Sequence, residues 1–109
     1  MRKIRAKYRV PLESVDGFVQ RERLDRADYI KADLEGADYE MLLGAKHTLA
    51  RFHPRVAVCT YHSRNHFRLM REFLETLGYS NIRGRGLVAG CGDPHPSAIR
   101  PMILHASWI

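Results

Sequence analysis

Tyr29–Lys46, YIKADLEGADYEMLLGAK, is the stretch that decides how the rest of the chain reads. Its opening residues, Tyr29 to Leu34, read as a strand that is half buried at its start. Gly36 breaks the strand and Ala37 opens a helix. Met41, Leu42, Ala45, Leu49 and Phe52 then recur at helical spacing and make one apolar face. A single helix from Ala37 to Phe52 is predicted, stopped by Pro54, which lacks the amide hydrogen a helix needs. Three acids, Asp33, Glu35 and Asp38, thus stand at the mouth of a strand-to-helix turn.

The pattern continues toward the C-terminus. RVAVCTY, residues 55–61, is an unbroken apolar run rich in β-branched side chains. It reads as a strand buried on both faces, the habit of parallel sheets. Phe67, Met70, Phe73, Leu74 and Leu77 mark the apolar stripe of a second helix, with Gly78 where a helix C-cap belongs. YSNIRGR, 79–85, is a weaker strand, and GLVAGCGDPHPSA, 86–98, a loop. IRPMILHASWI, 99–109, is a closing strand, where Pro101 suggests an interrupted or edge ladder. Upstream, residues 4–10 alternate loosely as a strand ended by Pro11. PLESVDGF, 11–18, is a short helical turn or loop with a turn signal at Asp16-Gly17, and residues 21–27 are too charged for a core. From Tyr29 onward the order is βαβαββ, which argues for βαβ units and a parallel sheet.

Composition bounds what such a sheet can do. The 109 residues make one domain, at the small end of what buries a core. With 45% hydrophobic and 28% charged residues the chain has ordinary globular composition. It has no run long enough to span a membrane and no hydrophobic signal core after Met1. Cys59 and Cys91 form no CxxC pair and imply no disulfide framework, so a reduced, cytoplasmic protein is expected. The net charge of +6 comes mostly from arginines dispersed among acids, without a nucleic-acid motif. Solvated faces explain it, and nucleic acid is not the expected partner.

In an open α/β sheet, ligands bind beyond the carboxyl ends of the strands. Asp33 and Glu35 end the first clear strand, while Tyr61, His62 and Ser63 end the next. If these strands are parallel, both groups face one crevice. Carboxylates beside an imidazole could hold a hydroxyl or amine, take its proton, or ligate a divalent metal. Residues 33 and 35 point the same way only where the backbone is still extended. Asp38 reads as an N-terminal helix cap, and Asp33 can be read that way too. His62 and His66 have i,i+4 spacing but no HExxH, so no metal is expected. His47, His53, His95 and His105 carry no pattern, and Cys59 reads as a small core residue. GRGLVAGCG, 84–92, is a weak phosphate-loop match, better read as a lid or connecting loop.

One set of residues resembles a known family. Val10-Pro11 with Val15-Asp16, then IKADLEGAD (30–38), Leu43-Gly44-Ala45, Pro54 to Val58 and HFRLMREFLETLGY (66–79) carry the likeness. Over roughly residues 8–80 they resemble the FkbM-type S-adenosylmethionine-dependent methyltransferases. Asp38 stands where that family has Glu. The resemblance implies a Rossmann-like class I methyltransferase fold with three α/β/α layers. The chain would be its C-terminal half, a single domain lacking the N-terminal strands. It further implies methyl transfer from S-adenosylmethionine to a hydroxyl of a small molecule or sugar. His62 or Asp33 would be the base, and Glu35, Tyr61 and Ser63 would line the acceptor site. The Gly-rich turn and ribose-binding acid of such enzymes are not recognisable, so no cofactor residues are assigned. The missing half, or a second copy of the chain, would then pair with the exposed edge of the strand at 28–34. A second reading is a non-catalytic interaction module derived from the same fold. The weakest is a nucleic-acid binder using the arginines.

Overall fold

The computed structural model describes residues 7–88 and 99–108. Among them the order is α1 (Val15–Arg21), β1 (Tyr29–Ala32), α2 (Asp38–Leu43), α3 (Lys46–Phe52), β2 (Arg55–Cys59), α4 (His66–Thr76), β3 (Asn81–Val88) and β4 (Arg100–Ser107). The four strands form one sheet in the order β1-β2-β4-β3. β1 and β2 are parallel, and β4 runs antiparallel to both β2 and β3. A mixed α/β fold is therefore present.

Strand register sorts the sheet into two unlike faces. Val56 and Val58 pair with Ala106 and Leu104, and all four belong to the core. Against them pack Leu42, Leu49, Met70, Leu74 and Tyr79 from the helical segments and their ends. The fully buried Leu42, Leu49, Met70, Leu74 and Leu104 each contribute roughly 1.5–3 kcal/mol of transfer free energy. On the opposite face the register aligns Tyr29 with Arg55, and Lys31, Ala57, His105 and Arg83 in one row. That face stays open over a concavity of about 460 Å³. The described helices thus make one layer and the sheet a second, where the resemblance implied three. Lys31, Arg55, Arg83 and Arg85 make the uncovered face cationic.

The expected helix over 37–52 is broken in two. Gly44 ends α2, and its carbonyl accepts the Asp16 amide at 2.9 Å. The Asp16 carboxylate in turn accepts the His47 and Thr48 amides, at 3.0 and 2.9 Å, and the Thr48 hydroxyl at 2.6 Å. These are free donors at the start of α3, so an acid 31 residues upstream caps that helix. A Cβ on Gly44 would lie 3.1 Å from the Cβ of Ser14, which explains a glycine where α1 crosses.

Other boundaries also shift. Residues 7–10 form no strand, because Tyr8 and Val10 are exposed and sheet pairing begins at Tyr29; residues 4–6 lie outside the described part. β3 continues through Val88, into the segment expected to be loop, because Leu87 and Val88 pair with Pro101 and Arg100. Gly86, at φ +69°, interrupts that ladder. The remainder of the expected lid, including Cys91, Pro94, His95 and Pro96, lies outside the described residues. β4 is an inner strand, so the edge reading of Pro101 fails, while the alternative of an interrupted ladder holds: the β3 pairing skips from Ile103 to Pro101 and the β2 pairing stops at Ile103. Proline is accommodated near the strand's start, where its carbonyl accepts the Thr60 hydroxyl at 2.8 Å.

Candidate active site

Parallel pairing of β1 with β2 sets Ala32 beside Val58, so the residues that follow both strands emerge at one edge. There Asp33 Oδ1 lies 3.9 Å from His62 Nε2. Asp33 is mostly exposed and His62 mostly covered. The Nε2 atom itself is buried and has no hydrogen-bond partner among the described residues. Such an atom is costly to leave unpaired, so it marks a place where an incoming donor or acceptor gains. Tyr61 lies over the imidazole, with ring centroids 4.0 Å apart. Arg100 fixes this segment by donating from Nε to the Tyr61 carbonyl at 2.6 Å.

The turn after β1 has an unusual backbone. Glu35 and Gly36 both have positive φ, +51° and +102°. Gly36 is the residue suited to that conformation, and its open α-carbon faces His62, whose Cβ would sit 3.7 Å from an added methyl. Glu35 therefore does not continue the strand, so the condition for residues 33 and 35 to point the same way is not met. Its carboxylate still acts on the site, as one of the charges that raise the pKa of Cys59 and Tyr61.

Asp38 has a different role from the expected helix cap. Fully buried, it reaches back to accept the Leu34 amide with both carboxylate oxygens, each at 3.3 Å. It braces the turn that carries Asp33 and Glu35, while α2 has no side-chain cap. Ser63 likewise belongs to a turn, accepting the Asn65 amide at 3.4 Å through its hydroxyl. Glu35, Tyr61 and Ser63 surround the edge, and Asp33 and His62 form its centre.

Cys59 escaped the sequence reading as a site residue. It ends β2 on the face opposite Val56 and Val58, an alternation that would have revealed it. Burial pushes its thiol up to about 11, reinforced by a hydrogen bond to Asp33 and by the charges of Asp33, Asp38 and Glu35. At neutral pH it is protonated and unsuited to nucleophilic work. Burial first, then the Asp33 and Glu35 charges, likewise raises the Tyr61 phenol. His62 and His66 do not share a helix face, since α4 begins at His66. Among the described residues no group of three or more His, Cys, Asp and Glu could hold a metal ion.

The methyltransferase FkbM domain matches residues 2–80, well over half of the chain. The chain belongs to the FkbM methyltransferase family. No curated protein and no solved structure matches it. At this edge the described residues bring together two acids, an unpaired imidazole nitrogen and a glycine-relieved turn. They do not fit a complete adenosyl site, because none of the described strands feeds a glycine-rich turn that opens a helix. Gly84 and Gly86 lie within β3 instead. Among the described residues no helix is long and apolar enough to cross a membrane.

Proposed function

We propose that this edge is the acceptor side of an S-adenosylmethionine-dependent O-methyltransferase. The juxtaposition of Asp33 with the unpaired, buried His62 Nε2, in a chain of the FkbM family, carries the reading. When bound, the cofactor supplies an electrophilic methyl group. The chain's part is to hold the acceptor hydroxyl against Nε2 and receive its proton there, while the Asp33 carboxylate stabilises the resulting imidazolium. Glu35, Tyr61 and Ser63 line the approach and orient a small hydroxylated acceptor or sugar. The main cofactor-binding half comes from outside the described residues, and the sheet corresponds to the C-terminal part of a Rossmann-like fold.

The test is complementation. Titration calorimetry of S-adenosylmethionine into the chain alone is expected to show no saturable binding; clear binding would overturn the incomplete-site reading. Co-expression with the N-terminal half of another FkbM domain should restore methyl transfer to a panel of hydroxylated small molecules and sugars. His62→Ala should then lower kcat by about 10²–10⁴-fold with an intact fold. An unchanged kcat would remove His62 as the base.

A further inference from the structure

The open sheet face is chemically unlike the active edge. Arg55, Arg83 and Arg85 line its concavity together with His105, Asn81 and an exposed Tyr29. The lining includes no acid. The ion pairs found among the described residues engage none of these three arginines. Arg83 and Arg85 project from alternate positions of β3, about 7 Å apart along the strand. Lys31 shares the row of Ala57, His105 and Arg83 and adds a further cation.

We infer that this face binds single-stranded nucleic acid. Charge complementarity calls for a polyanion, because three arginines line the concavity and no acid does. A strand of phosphates can run past Arg55, Arg83 and Arg85, while Tyr29 and the arginine planes offer surfaces on which bases stack. The face is open, so it suits an extended strand better than an enclosed nucleotide. Recognition rests on phosphate and stacking and is not sequence specific. A partner pairing with the β1 edge through backbone groups alone would leave these side chains free.

Fluorescence anisotropy of the 109-residue chain with a labelled oligouridylate of about twelve nucleotides tests it. Saturable binding is expected at low salt, with log K falling against log salt at a slope of about −2 for three arginine contacts. Arg83→Glu with Arg85→Glu should weaken binding at least about tenfold at low salt. Lys46→Glu with Arg51→Glu on α3 makes the same change in net charge on the helix layer and should leave most of the affinity. Absent binding, a flat salt slope, or equal losses from the two double variants would overturn the inference. The slope is measured on the unaltered chain, so it decides even if the β3 variant misfolds. Equal competition by polyglutamate would show an acidic-protein site, and equal competition by uridine monophosphate a single-nucleotide pocket; either overturns the strand-binding assignment.

Discussion

Asp33 shows how one side chain ties the site together. It lies beside His62 Nε2, and its charge helps to raise the Cys59 thiol, so one carboxylate acts on a base and on a silent cysteine. Replacing it with asparagine removes the charge that helps hold the Cys59 thiol high. Asp33→Asn should therefore speed alkylation of Cys59 by iodoacetamide at pH 8, read by peptide mass spectrometry to separate it from Cys91; an unchanged rate would deny the influence of Asp33 on the thiol. Asp16 offers a second test. Burial alone would raise its pKa, but bonds from the Thr48 hydroxyl and the His47 and Thr48 amides outweigh this and lower it. A depressed folded pKa gives stability that is present above the unfolded value and lost as pH falls through the folded one. Asp16→Ala should cost roughly 1–2 kcal/mol at pH 7 in urea unfolding, and the difference from the parent should shrink in acid. An equal difference at both pH values would refute this account. The acids of the turn were legible as a cluster because the strand-to-helix switch is local. Asp16 as a cap for α3 was not, because no spacing rule connects residues so far apart.

At the level of elements, sequence and structure agree where periodicity is strong and local. The α4 stripe and the buried run of β2 fall where expected, with Val56, Ala57 and Val58 all buried. They part where tertiary contact decides. α1 crosses at Gly44 and divides one apolar stripe into two helices, although the stripe itself continues unbroken through Leu42, Ala45 and Leu49. Proline on an inner strand and a two-layer outcome likewise depend on neighbours that single-strand patterns do not encode. The end of α4 supplies this scale's prediction. Gly78 takes φ +104°, and a Cβ there would strike the Trp108 ring. That ring stacks on His53 at 3.5 Å and meets Tyr79 edge-on, while the Tyr79 hydroxyl donates to the Pro54 carbonyl at 2.5 Å. The helix terminus, the β2 entry and the C-terminal segment therefore meet at one residue without a side chain. Gly78→Ala should destabilise by about 1–3 kcal/mol through backbone strain and the displaced indole. Trp108, the chain's single tryptophan, reports it directly: its emission should shift in the native state. Unchanged emission with unchanged stability would contradict the packing.

For the whole molecule, the decisive feature is an asymmetric open sheet with β1 at one edge and β3 at the other. β1 is the edge without arginines, and its outer backbone groups have no strand partner among the described residues. Exposed edges invite pairing, and β1 carries only one evident guard, Lys31. We predict self-association through β1, with a distinctive dependence on salt. Four residues offer few backbone hydrogen bonds, so the contact is weak. Pairing two copies edge to edge also brings together their Lys31 and Arg55 side chains, which repel. Screening shortens the reach of that repulsion, so dimerisation should tighten as ionic strength rises from about 0.05 M to about 0.5 M. Sedimentation velocity at high micromolar concentration reads it directly. Polyanion binding on the open face must move the other way over the same range, which lets one salt series separate the two surfaces. A chain that stays monomeric throughout would show that Lys31 and the shortness of β1 suffice to protect the edge, and the partner half would then have to dock through side chains rather than sheet extension.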